Sequence, residues 1–198
     1  MVQMQSVISM GAVFLISRIC THFEQPFYVT LACQIAVIGL LMKFMGSMGG
    51  GGKDITGEEA PSLTGLSYLQ GSAAKVGKGR VIVVEFWATW CPPCKTSIPH
   101  IDTAFKTYHP QGVDFVGITK EEPGVVLPFI HKMKETFTYP VATDPGGAVS
   151  AGFPVAGIPA AFVIGKDGKV AWQGHPMGGM EAAIEAALKG EAPKLKDT

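Results

Sequence analysis

The sequence has no excess of either charge. Its 198 residues carry 16 Lys and Arg against 16 Asp and Glu, a formal net charge of zero at pH 7. No basic stripe runs along it, so nothing marks a nucleic-acid partner. Histidine is scarce: there are five, with no pair at a ligand spacing such as His-x-x-x-His. Cysteine is scarce too. Four cysteines are too few for a secreted scaffold stapled by disulfides, and the count does not fix the compartment. Charge itself is thin, at 16% of residues against 47% hydrophobic. That deficit is local. Residues 1–52 contain only Arg18, Glu24 and Lys43, whereas residues 53–198 have the composition of an ordinary globular domain. No internal repeat is present.

The uncharged region sets the domain organisation. Phe27 to Met42 reads FYVTLACQIAVIGLLM. Extended past Lys43, whose ammonium can snorkel, through Phe44-Met45 and Gly46-Ser47-Met48, it reaches about 20 residues, the length of a bilayer span. Val7 to Ser17 is a second, shorter apolar run, closed by Arg18. His22, Glu24, Gln25 and Pro26 separate the two. Residues 1–45 are therefore expected to be a membrane anchor, spanning once through 27–45 or forming a short hairpin. A signal peptide fits less well, because Met1 to Gln5 supply no Lys or Arg. A helix pair buried in a larger soluble core is the other reading. The flanking charge is too sparse to orient a span or to name an organelle. Gly46-Ser47-Met48 followed by four glycines then reads as the start of a flexible linker, 46–58. A folded domain is expected over 59–198.

Within that domain, Val81–Phe86 (VIVVEF) is β-branched and nearly all apolar, which predicts a central strand buried on both faces. A helix is predicted to open at Cys91. Pro92 and Pro93 suit its first turn, where amide donors have no partner anyway. Ile98, Ile101, Phe105 and Tyr108 follow at helical spacing. Val113–Ile118 predicts a second strand, Gly124 to about Phe137 a helix, and Ala160–Ile164 a third strand. Lys166-Asp167-Gly168 predicts a tight turn into a strand over 169–173. Met180–Leu188 predicts a closing helix, stopped at Gly190. This order implies an α/β domain with a mixed sheet covered on both faces.

Cys91 and Cys94 stand one helical turn apart, just after the central strand. The helix start stabilises a thiolate at Cys91, while Cys94 lies further in and less exposed. Disulfide exchange uses that asymmetry: one thiolate attacks and its neighbour resolves the adduct. The same pair could instead be half a zinc site, or a relic that has lost its chemistry. Zinc needs two more ligands, and Cys20 and Cys33 lie in the apolar segment. A peroxidase of the peroxiredoxin kind would want Pro-x-x-x-Thr-x-x-Cys, whereas Thr89 stands only two positions before Cys91.

VEFWATWCPPCK (Val84–Lys95), with Pro99 five positions after Cys94, resembles the active-site segment of the thioredoxin superfamily. WATWCPPC is most similar to its membrane-tethered thiol–disulfide oxidoreductases of the TlpA/ResA type. Gly157-Ile158-Pro159 before a strand resembles that family's cis-proline loop. The resemblance covers residues 60–190. It implies a thioredoxin-like fold, a mixed central sheet flanked by helices, carried behind an N-terminal membrane helix. It implies Cys91 as attacking thiol, Cys94 as resolving thiol, and Glu85 as the acid that relays protons to Cys94. Glutamate there departs from the aspartate of thioredoxins, and a strand-edge carboxylate in water is the plain alternative. Trp90, Pro92, Ile158 and Pro159 would meet the substrate chain. Substrates would be protein thiols and disulfides, with a reducing role favoured and no metal or organic cofactor implied. The rival reading is a thioredoxin-fold accessory subunit of a larger membrane complex, docked through its N-terminal segment.

Overall fold

The computed structural model describes residues 52–74 and 79–191. The expected anchor over 1–45 lies outside them. Among the described residues no helix is long and apolar enough to cross a membrane.

Six strands form one sheet: β1 (Ser67–Gln70), β2 (Val81–Phe86), β3 (Val113–Thr119), β4 (Val141–Thr143), β5 (Ala160–Ile164) and β6 (Val170–Gly174). Their order across the sheet is β1-β4-β3-β2-β5-β6. β2, β3 and β4 run parallel, while β1, β5 and β6 pair antiparallel with their neighbours. Among the described residues three α-helices accompany the sheet: α1 (Pro92–Tyr108), α2 (Pro123–Lys132) and α3 (Met180–Lys189). The mixed sheet is the expected one.

Every residue of β2 is buried, and its side chains alternate between two cores, as the twofold period of a strand requires. Val81 and Val83 join Ile98 and Ile101 of α1, Val126 and Ile130 of α2, and Met180 and Ile184 of α3. Ile82, Val84 and Phe86 join Ile55, Leu63, Val149 and Phe153. The first core is thus roofed by helices. The second is roofed by irregular chain, from the N-terminal strap and from the segment before β5.

That strap includes part of the expected linker. Residues 53–58 do not hang free. Ile55 is buried in the second core, Gly57 N–H donates to Val170 O at 2.8 Å, and Val170 N–H donates to Glu58 O at 3.0 Å. Ile55, these two edge hydrogen bonds and the Gln173 side chain, which accepts from Ile55 N–H and donates to Lys53 O, hold this polar stretch on β6. The folded body therefore begins before residue 59.

α2 ends at Lys132, short of the expected Phe137. Met133 N–H bonds back to Phe129 O and Ile130 O, and Thr138 N–H is taken by Asp102 of α1. The chain must leave the helix there to bury Phe137 and Tyr139, both fully enclosed. α1 and α3 are tied by Tyr108 hydroxyl, which donates to Glu185 at 3.0 Å, and His100 Nε2 lies 2.7 Å from Glu181 Oε1.

Candidate active site

Cys91 and Cys94 form a disulfide at the start of α1, with Cα atoms 5.3 Å apart. Cys91 is the N-cap. Pro92 and Pro93 have no amide hydrogen to leave unpaired, and Cys94 N–H donates to Cys91 Sγ at 3.2 Å. Lys95 N–H then donates to Cys91 O, the first turn of regular helix. The donors of the first turn are thereby absorbed at or around the Cys91 sulfur. The expected difference in exposure between the cysteines is small in this oxidised state. Cys91 is 2% exposed and Cys94 0%.

The cis-proline loop approaches from the other side. The Ile158–Pro159 bond is cis, and Ile158 O lies 3.8 Å from Cys91 Sγ. Trp90 is 69% exposed beside the disulfide. A cleft of about 270 Å³ runs between Trp90, Glu121 just beyond β3, and Val155 to Ile158. Pro92 is exposed at the helix start and Pro159 is buried; neither forms a wall of that cleft.

The backbone leading into Cys91 is clamped. Thr89 N–H donates to Glu121 Oε2 at 2.6 Å, and Thr89 hydroxyl to Glu121 Oε1 at 2.7 Å. A carboxylate accepting two donors from one residue fixes that residue tightly. Glu121 and Thr89 were not anticipated from the sequence, because nothing local links them.

Glu85 sits beneath the helix start, 1% exposed. The alternative of a solvated strand-edge carboxylate does not hold. Tyr139 hydroxyl donates to Oε2 at 2.5 Å. Ser97 hydroxyl lies 3.4 Å from Oε1 and 3.1 Å from Cys94 O. Burial pushes the Glu85 carboxyl up to about 7, against the opposing pull of the Tyr139 and Ser97 hydrogen bonds. A group poised there can take or give a proton near neutral pH. Ser97 could have been found from its place one turn beyond Cys94. Tyr139 could not, being 54 positions from Glu85.

Comparison with known proteins bears on this arrangement. Residues 56–173 match the AhpC/TSA family. Thiol-disulfide oxidoreductase ResA of Bacillus thuringiensis subsp. konkukian is 31% identical over 116 residues, which is 58% of this chain and 66% of that protein. The chain thus matches just under two thirds of that relative's length. A solution structure of a candidate protein disulfide isomerase from Bacteroides thetaiotaomicron superposes with a TM-score of 0.61 at 27% identity, covering 72% of this chain and 95% of that one. A candidate thiol:disulfide interchange protein DsbE from Chlorobium tepidum gives 0.54 at 27% identity, covering 66% and 98%.

Proposed function

The chain belongs to the AhpC/TSA family, and from that premise we propose that it is a protein thiol–disulfide oxidoreductase, tethered to a membrane through residues 27–45 and acting as a reductant of protein disulfides. The observation that carries the reading is the Cys91–Cys94 disulfide at a helix start, set over a carboxyl with a pKa of about 7. The similarity to thiol-disulfide oxidoreductase ResA supports the reaction class.

The reduced dithiol would act in two steps. Cys91 thiolate attacks a substrate disulfide, forming a Cys91–substrate bond and releasing the other substrate sulfur as a thiolate. Cys94 then loses its proton to Glu85. Its sulfur attacks Cys91, the Cys91–substrate bond breaks, and the second substrate sulfur leaves with the electron pair. The substrate is reduced by two electrons and the Cys91–Cys94 disulfide is formed. The N–H donated to Cys91 Sγ and the helix start favour the attacking thiolate. Trp90 and Ile158 would receive the substrate chain along the cleft, with Pro92 and Pro159 flanking it.

The rival reading, a structural subunit that needs no chemistry, leaves the buried Glu85 and its two donors without a purpose. Insulin reduction separates the two. Cys91→Ser should abolish turnover, and Cys94→Ser should accumulate mixed disulfides visible on non-reducing gels. Full activity in Cys91→Ser would sink the assignment. As a reductant, the pair should equilibrate near the thioredoxin end of the scale, about −270 mV, and a value of about −120 to −180 mV would reverse the direction.

A further inference from the structure

Glu85 is flanked in the sheet by two very small residues, Gly117 on β3 and Ala161 on β5. The space over Gly117 is occupied. A Cβ there would meet Tyr139 Cε2 at 3.1 Å and Trp87 Nε1 at 3.1 Å. The missing side chain is what lets the Tyr139 ring pass over β3 and reach β2, where its hydroxyl donates to Glu85 Oε2 at 2.5 Å. The ring is also held from its own backbone. Asp102 Oδ1 on α1 accepts from Thr138 N–H at 2.6 Å and from Thr138 hydroxyl at 2.7 Å. Lys106 pairs with the other Asp102 oxygen at 2.7 Å.

The two oxygens of Glu85 are therefore unlike. Oε2 faces a hydroxyl that stays a donor, because burial, and then the charge of Glu85, hold the Tyr139 proton well above the usual phenol range. Oε1 faces Ser97, whose single hydroxyl proton has two acceptors within reach, Oε1 and Cys94 O. With Glu85 ionised, Ser97 can donate to Oε1. With a proton on Oε1, the carboxyl donates to Ser97 Oγ and Ser97 donates to Cys94 O. Only the Oε1 side has partners that accommodate both protonation states.

We propose that Tyr139, admitted by Gly117 and anchored through Thr138 and Asp102, is a positioning residue for thiol–disulfide exchange: it occupies Oε2 of Glu85 and so directs proton transfer to Oε1, the oxygen that shares the Ser97 hydroxyl with Cys94 O. The proposal rests on the exchange reading above. In the resolving step the Cys94 S–H bond breaks, its proton forms an O–H bond at Oε1, and the freed sulfur pair makes the Cys91–Cys94 bond. Tyr139 keeps its own proton throughout. Among the described residues, the titratable or charged groups around this cell are Tyr139, Asp102 with its partner Lys106, and the two cysteines once reduced. β3 and β5 face Glu85 with Gly117 and Ala161 and add none.

The test reads Glu85 in the oxidised full-length chain, where neither Cys91 nor Cys94 titrates, by carboxyl carbon NMR across pH. Tyr139→Phe keeps the ring and removes one charge-assisted hydrogen bond to the anion. Its Glu85 midpoint should rise by roughly one pH unit or more. Gly117→Ala keeps the hydroxyl but pushes the ring back, and should move the midpoint the same way. In the reduced protein, the pH profile for resolving a mixed disulfide should shift upward with it. An unmoved midpoint in folded Tyr139→Phe overturns the proposal. So does a moved midpoint with an unmoved resolution profile, since the ring would then be mere packing. A wild-type chain that exchanges no disulfides is recognised separately: it brings down the exchange reading, and the positioning role falls with it.

Discussion

A carboxyl enclosed on all sides holds its proton more tightly folded than unfolded. Glu85 titrates at about 7 in the native protein against an ordinary 4.5. Between those values the native state binds a proton that the unfolded chain has lost. Stability from this group is therefore full below about pH 4.5, falls as pH rises, and levels off above about 7. The drop is on the order of 3 kcal/mol. Glu85→Gln is neutral at every pH and removes the slope. In urea unfolding of the oxidised chain, the Gln variant should gain on wild type at pH 8 and match it at pH 5. The same variant should resolve mixed disulfides slowly at neutral pH. A residue that costs stability while it speeds exchange would be kept for the exchange. The candidate site was legible in part for the same physical reason. Glu85 could be found because it stands on the strand that leads into Cys91. Tyr139 could not, since a phenol crossing over Gly117 is a product of packing and leaves no local pattern.

At the scale of elements, the disulfide loop depends on a clamp from the next strand. Glu121→Ala leaves the Thr89 amide and hydroxyl without their acceptor. The expected cost is about 1–3 kcal/mol, with faster amide exchange at Thr89 and Trp90 and an unchanged ability to form the Cys91–Cys94 bond. Amide exchange followed by NMR would show it. Loss confined to distant amides would count against the clamp. The strands that carry the site were readable from residue type alone. Val81–Phe86 was expected and found to the residue, because a β-branched apolar run has few other places to go. β1 and β4 were not foreseen. β4 has three residues and β1 has four with no apolar alternation, so neither carries a period long enough to see. α2 stops short of Phe137 because Phe137 and Tyr139 turn into the core while Asp102, on another helix, takes the Thr138 N–H, and neither partner is visible in the period of α2 itself.

At the scale of the whole molecule, the strap over residues 53–66 completes the second core. A chain beginning at Ala60 loses Ile55 and the Gly57–Val170 and Glu58–Val170 hydrogen bonds. It should be about 2–4 kcal/mol less stable than one beginning at Lys53, as read from denaturant midpoints. Equal midpoints would mean that the strap is passive. The proposed tether makes a separate prediction. The full chain should sediment with membranes and resist salt extraction, while the chain beginning at Lys53 should stay in solution and still reduce insulin. Extraction of the full chain by salt alone would remove the tether and leave the chemistry standing.

The strap closes over long distances in the chain. Ile55 N–H bonds to the Gln173 side chain, 118 positions later, and Glu59 pairs with Lys169. During synthesis the strap emerges well before β6, so its hydrogen bonds to Val170 and Gln173 form only once β6 has been made. Until then only apolar side chains such as Ile55 and Leu63 can hold it on Ile82, Val84 and Phe86, and contacts this distant in sequence form late. The strap side of the newborn domain thus lacks its edge hydrogen bonds until β6 is translated. That is the face on which a holding chaperone would find its longest-lived target, and a slowed ribosome just short of Val170 would lengthen that interval.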